Sequence, residues 1–273
     1  MTIISNPYEL KKHLSTLEGT LGFVPTMGAL HSGHLSLIQE ARRNNERVVV
    51  SIFVNPTQFL KGEDLSKYPR NYEADKRICE VAGVDILFLP QATDIYTDDE
   101  VKIQAPHVRG YVLEGASRPG HFSGVLTVVM KLLNIVNPRD AYFGKKDAQQ
   151  LNLISLMAKQ FFMDVNIVAV DTLRERDGLA LSSRNVYLSQ AQREEALKIS
   201  SSLRVATSMV NRGILDVKEI TDAMREHLYP LDIDYVTIVD REFEPVKELE
   251  LGNAIVLVEA VVGTTRLLDN IWI

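Results

Sequence analysis

The chain has 273 residues, enough for one large hydrophobic core and a second, smaller one. With 45% apolar and 24% charged residues it has the composition of an ordinary globular protein, and its net charge of −6 argues against a general nucleic-acid or membrane-surface binder. The single cysteine, Cys79, excludes an intrachain disulfide. No apolar run reaches membrane-spanning length and no signal-like segment opens the chain, so a cytoplasmic setting is expected.

Leu21–Pro25 is a short apolar run suited to a buried strand, and Leu35, Leu37, Ile38 and Ala41 then recur at helical spacing. Thr26-Met27-Gly28-Ala29-Leu30-His31-Ser32-Gly33-His34 therefore lies where a strand hands over to a helix. Such a turn is expected to aim free backbone N–H groups and the positive end of a helix dipole at one point, with glycines that let an anion approach closely. His31 and His34, three residues apart, can share a helix face if the first turn has begun. A candidate phosphate site results; a metal-binding pair and a solvated helix start are the alternatives. No third metal ligand lies nearby.

A β-branched strand follows at 47–54, closed by Asn55-Pro56, then a helix over 71–82 and a short strand over 85–90. Cys79, beside Ile78 and Val81, reads as a small buried apolar residue. A long helix over 122–135 stops ahead of Pro138, followed by a strand end at 141–144, a helix over 149–162 and a strand over 166–170. Apolar strands alternating with helices predict an α/β fold, a Rossmann-like doubly wound parallel sheet that binds ligands at its carboxyl edge. Beyond Arg184 the pattern changes. Ser189 and Gln192 form a capping-box signature for a helix ending near Asn211 and Gly213, and a second helix covers 216–228. Strands over 234–239, 254–262 and 265–268, the last two joined at Gly263, complete a smaller α+β domain. The expected domains are residues 1–175 and 176–273, the second acting as a lid. Residues 58–72 are a mobile-loop candidate, and residues 91–107 are acidic and irregular, with no assigned element.

Four further clusters fall at strand ends or in nearby loops. Asn55-Pro56-Thr57-Gln58 offers amides that can bond a hydroxylated or carboxylated substrate, or else a simple Asx turn. Arg118-Pro119-Gly120-His121 reads equally as a binding segment and as a turn. Gly144-Lys145-Lys146-Asp147, followed by Gln149 and Gln150, suits phosphate neutralisation or a solvated turn. Leu181-Ser182-Ser183-Arg184-Asn185 can clamp a phosphate or serve as a linker. The chain contains neither a Walker A nor a Gly-x-Gly-x-x-Gly motif.

Together these blocks, with Tyr68-Pro69-Arg70 and Glu114-Gly115, closely resemble the pantoate–β-alanine ligase family of the HxGH nucleotidyltransferase superfamily. The resemblance runs over about residues 20–190 and is looser beyond. It implies ATP-dependent condensation of (R)-pantoate with β-alanine through a pantoyl adenylate, releasing AMP and pyrophosphate. It also implies catalytic roles for His34, His31, Lys146 and Arg184, and ATP contacts from Met27 to His34 (Gly28, Ala29, Leu30, Ser32 and Gly33 included), Gly144 to Asp147, Leu173, and Leu181 to Arg184. Gln58, Gln150, Asn55 and Met27 would bind pantoate and β-alanine. Mg²⁺ would be carried by the ATP phosphates, with no protein ligand assigned, residues 60–74 would close over the site, and the protein would be a homodimer. Two positions depart from the family: Lys145 where glutamate is usual, and Leu181 where methionine is common. A related enzyme that adenylates a phosphate-bearing coenzyme precursor is the alternative activity.

Overall fold

The computed structural model of the chain describes residues 1–60 and 62–273; Lys61, inside the expected mobile loop, lies outside them. The described residues separate into two compact units, residues 1–144 with 153–171, and residues 145–152 with 172–273.

In the first unit six strands form one sheet: β1 (Thr2–Ile4), β2 (Leu21–Thr26), β3 (Arg47–Ile52), β4 (Ile86–Phe88), β5 (Asp140–Gly144) and β6 (Asn166–Val170). Their order is β1-β4-β3-β2-β5-β6, and every pairing is parallel. Between them run α1 (Pro7–Leu14), α2 (Ser32–Asn44), α3 (Tyr72–Val81), α4 (Ala92–Ile95), α5 (Glu114–Ser117) and α6 (His121–Val136). The division between units passes through α7 (Ala148–Gln160), whose residues 148–152 group with the second unit. Val48, Val49 and Val50 are all buried, as expected when helices cover both faces of a parallel sheet. From β2 the chain fills β3 and β4 on one side, then returns to β5 and β6 on the other. That reversal puts the topological switch point between β2 and β5, where the carboxyl ends leave a crevice.

Two elements at the start of the chain have no counterpart in the sequence reading. β1 is a three-residue edge strand with mostly exposed side chains, so it carries no apolar run. α1 does carry a start signal: Asn6 caps it by accepting from Tyr8 N–H at 2.9 Å, and Pro7 occupies its first turn. The unassigned 91–107 stretch contains the single turn of α4 and is otherwise irregular. Cys79 packs in the core with Ile38, Val50 and Leu87. Burial, reinforced by the charges of Asp75 and Glu80, pushes its thiol up to about 12, so it is not a nucleophile.

The second unit contains α8 (Gln190–Asn211), α9 (Val217–Leu228) and an antiparallel sheet of β7 (Asp232–Asp240), β8 (Ala254–Val262) and β9 (Thr265–Trp272). α8 opens with the expected capping box: Gln192 N–H donates to Ser189 Oγ at 3.3 Å, and Ser189 N–H to Gln192 Oε1 at 2.9 Å. Ile199, Leu203, Ile220, Met224, Val256 and Val258 form its core. β9 runs four residues past the expected 265–268, because the buried polar pair Asp269-Asn270 interrupts the apolar pattern without ending the strand. Among the described residues, no helix is long and apolar enough to cross a membrane.

Candidate active site

The turn after β2 is built from two left-handed residues, Gly28 (φ +85°) and Ala29 (φ +51°). A Cβ at Gly28 would come within 2.9 Å of Ile52 Cγ2, so glycine is required there on both counts. Thr26 Oγ1 accepts from Gly28 N–H at 3.2 Å and donates to the Ser51 carbonyl at 2.8 Å. The next two amides, Ala29 and Leu30, donate to the two carboxyl oxygens of Asp75 at 2.9 and 2.7 Å. Asp75 lies on α3 and is only 2% exposed.

His31 is the N-cap of α2, and its Nδ1 accepts from Gly33 N–H at 3.1 Å. His34 Nδ1 in turn accepts from His31 N–H at 3.3 Å, and the two rings lie 4.1 Å apart. The histidines thus form a reciprocal capping box, a role that Ser and Glu usually fill. Because each Nδ1 accepts a hydrogen bond, the neutral ring carries its proton on Nε2, which makes that atom a donor.

Most of the N–H groups expected to be free at this turn are engaged by the protein. The amides of Gly28, Ala29, Leu30, His31 and Gly33 all have acceptors within the protein. The fold consumes these donors to hold a strained turn, and what the turn presents is the imidazole pair. Asp75 escaped the sequence reading because it lies 46 residues from Ala29; its only local signal is an acid in the first turn of a helix.

Asn55, Gln58 and Met27 are brought together. Asn55 is 1% exposed, and its oxygen accepts from Thr57 N–H, Thr57 Oγ1 and Tyr96 Oη at 3.3, 3.0 and 2.7 Å. Its nitrogen donates to Gln58 Oε1 at 3.0 Å and to the Gly124 carbonyl at 3.3 Å. The Asx turn is present at Asn55, whose amide is engaged by the protein on both its oxygen and its nitrogen. Gln58 Nε2 points to Met27 Sδ at 3.1 Å. Gly124 allows α6 to pass this close, since a Cβ there would collide with the Thr57 carbonyl.

Behind Gln58 lies a clasp. Arg118 forms a two-pronged pair with Glu63 at 2.6 and 2.7 Å and also donates to the Gln58 carbonyl at 3.3 Å. The same carbonyl accepts from His121 Nδ1 at 2.8 Å, so Nε2 of His121 faces Arg118 Nη1, at 3.1 Å, as an acceptor. Burial, and then the Arg118 charge, push His121 down to about 4. Burial alone would raise Glu63, but hydrogen bonds from Arg118 and the Leu60 amide outweigh it and leave its carboxyl below the ordinary range. Of the two readings left open for His121, the structure supports the turn.

In the second unit, Lys145–Asp147 forms a single 3₁₀ turn ahead of α7, which Gly144 precedes as the last residue of β5. Lys146 Nζ stands 3.6 Å from Asp147, and Gln150 is half-buried in the first turns of α7. Leu173 and Leu181 are joined by a 3.0 Å hydrogen bond from Leu181 N–H to the Leu173 carbonyl. Ser182 caps the 3₁₀ turn Ser183–Tyr187 by accepting from Arg184 N–H at 3.2 Å. Ser183 and Arg184 are half-buried.

A parallel sheet with a histidine-capped helix opening at its switch point defines an α/β protein with a crevice at the carboxyl ends of its strands. The family model described as pantoate-beta-alanine ligase matches residues 2–272. The pantothenate synthetase of Sulfurimonas denitrificans is 67% identical over all of both chains. The crystal structure of the Thermus thermophilus pantothenate synthetase superposes with a TM-score of 0.94 at 42% identity, covering 99% of each chain. That of the Francisella tularensis pantoate-beta-alanine ligase, complexed with beta-gamma ATP and beta-alanine, does so with a TM-score of 0.83 at 38% identity, covering 100% of this chain and 97% of that one. The chain belongs to the pantoate–β-alanine ligase family.

Proposed function

We propose that this chain condenses (R)-pantoate with β-alanine at the expense of ATP, giving pantothenate, AMP and pyrophosphate. The observation that carries this reading is the end-to-end family match. In the first step a pantoate carboxylate oxygen attacks the α-phosphorus, and the bond to the β-phosphate oxygen breaks to release pyrophosphate. In the second, the neutral amine of β-alanine attacks the activated carbonyl carbon. The carbonyl–oxygen bond to AMP then breaks, and the nitrogen loses a proton. A carboxylate is inert to amines because oxide is a poor leaving group; adenylation supplies a good one.

The residues take roles by this reading. His34 and His31 meet developing charge on the leaving phosphate through Nε2–H. Lys146, Ser183 and Arg184 hold the triphosphate, with further ATP contacts from Gly28 to Gly33, Gly144, Lys145, Asp147, Leu173, Leu181 and Ser182. Gln58 and Gln150 bind pantoate, Met27 gives its gem-dimethyl group an apolar wall, and Asn55 holds the Gln58 amide. Closure of residues 60–74 keeps water from the adenylate, and the Glu63–Arg118 pair ties that segment to the turn between α5 and α6.

Among the described residues, no cluster of three or more His, Cys, Asp or Glu side chains could hold a metal on its own. Mg²⁺ characteristically binds through substrate phosphates and water with few protein ligands, so these residues fit an ion carried in by ATP, where it would neutralise phosphate charge. The same reading makes the protein a homodimer; Phe161 and Phe162, both exposed, supply apolar surface for such a contact, and light scattering tests it.

Incubation with ATP, Mg²⁺ and pantoate should give pyrophosphate exchange without β-alanine, and AMP release should require both substrates. Absence of pantoate-dependent ATP turnover would overturn the reading. Turnover only with a phosphate-bearing precursor would replace it with the adenylyltransferase alternative.

A further inference from the structure

Two lysines stand side by side at the turn before α7, and the last strand of the chain treats them differently. Asn270, on β9, is only 3% exposed. Its Nδ2 donates to the Lys146 carbonyl at 2.7 Å and to the Lys145 carbonyl at 3.0 Å. Its Oδ1 accepts from Trp272 Nε1 at 3.0 Å, which fixes the orientation of the amide, because only the nitrogen end can serve two carbonyls. Its own N–H donates to Asp269 Oδ1 at 2.8 Å, and Asp269 is gripped by Arg174 at 2.5 and 2.9 Å. Above Trp272, Lys145 Nζ lies 5.3 Å from the ring centroid and the Arg241 guanidinium 4.4 Å. Lys145 thus leans on the ring, and Lys146 stands 3.6 Å from Asp147.

We infer that Asn270 is a positioning residue for Lys146: by holding two successive carbonyls of a one-turn segment, it sets the backbone that aims the Lys146 ammonium at the ligand's phosphate. The inference rests on the function proposed above. Trp272, bonded to the same Asn270, also packs under the Lys145 ammonium. A side chain that reaches both carbonyls from a separate strand constrains the turn more tightly than contacts within the turn could.

The test is a double-mutant cycle on pantoate-dependent ATP–pyrophosphate exchange, using Asn270→Ala, Lys146→Ala and the pair. Asn270→Ala should lower kcat at least tenfold in the wild-type background and less than threefold once Lys146 is alanine, with KM for pantoate unchanged throughout. Lys145→Ala should cost at least tenfold less than Lys146→Ala. Trp272 is the chain's only tryptophan, so its emission reports on whether the network is intact in every variant that keeps it. If Asn270→Ala does not fold, Trp272→Phe takes its place in the cycle, its fold checked by circular dichroism; it frees Asn270 Oδ1 while keeping an aromatic ring at this half-buried position, and should lower exchange severalfold, again only when Lys146 is present. Wild-type exchange in whichever variant folds, or equal losses in both Lys146 backgrounds, overturns the inference. A wild-type protein with no pantoate-dependent exchange instead overturns the proposed function.

Discussion

Replacing Asp75 with asparagine exchanges a single carboxylate oxygen for an NH₂ group and unties the turn that carries His31 and His34. The carboxylate accepts from Ala29 and Leu30 N–H at 2.9 and 2.7 Å. Asparagine can accept only one of these, and its NH₂ faces the other, leaving buried donors opposed at a cost of about 1–3 kcal/mol. The retained bond also loses its charge, worth roughly another 1 kcal/mol. Against this, the left-handed Ala29 has a standing cost of about 1–2 kcal/mol, which the lost bonds were offsetting. Asp75→Asn should therefore lower stability to urea by roughly 2–4 kcal/mol if the turn keeps its shape. If the turn relaxes instead, the loss appears as a fall of about 30–700-fold in pyrophosphate exchange, at ~1.4 kcal/mol per tenfold. Unfolding curves and exchange rates on the same preparations cover both cases. A variant with wild-type stability and an exchange rate within twofold of wild type would refute the idea that Asp75 holds the turn.

Three further expectations concern the histidines and the clasp. His121 titrates near 4 in the folded chain, below its ordinary 6.5. The unfolded chain thus binds the extra proton first, and the stabilisation present above about pH 6.5 is lost as pH falls toward 4, on the order of 3 kcal/mol. His121→Asn keeps a donor for the Gln58 carbonyl but does not titrate; urea unfolding at pH 7 and 4.5 should show a smaller drop for the variant, and parallel drops would sink the assignment. Arg118→Lys keeps the charge but cannot span Glu63, His121 and the Gln58 carbonyl together; KM for pantoate should rise roughly 5–20-fold in steady-state kinetics, equivalent to ~1–2 kcal/mol of lost hydrogen bonding, and an unchanged KM counts against the clasp. At position 34, glutamine places an amide N–H near Nε2, whereas asparagine restores only the Nδ1 acceptor. His34→Gln should therefore retain more exchange activity than His34→Asn, and the reverse order would mean that capping, not donation, is the role of this ring.

What was legible in the sequence follows from how local each signal is. The apolar run at β3, the capping box of α8 and the helix α6 that ends in a left-handed Asn137 ahead of Pro138 are all written within a few residues. The histidine turn was visible for the same reason. Its supports were not: Asp75 lies on a later helix, and the clasp joins Glu63 to residues more than fifty positions away. β9 was read too short because Asp269 and Asn270 look like the end of an apolar strand, although burial there is satisfied by Arg174, Trp272 and the lysine carbonyls. The partners of Asn55 were hidden for a related reason. A side-chain amide after a strand has the same appearance whether its partners are substrate or protein, and only the three-dimensional bond count separates the two.

The same bond count separates three histidines that sequence alone treats alike. In His31 and His34 a backbone N–H occupies Nδ1, which puts the proton of the neutral ring on Nε2. In His121 the Gln58 carbonyl claims Nδ1–H, and Nε2 must accept from Arg118. A ring of the first kind can donate to a phosphate oxygen without first gaining a proton, while one of the second kind has no donor left to give. Protonating His121 would oppose two donors across 3.1 Å in a buried setting, so it is locked neutral and serves only to hold the Gln58 carbonyl. The difference among these imidazoles thus follows from which backbone atom meets Nδ1: an amide leaves Nε2 as the donor atom of the neutral ring, and a carbonyl makes Nε2 an acceptor.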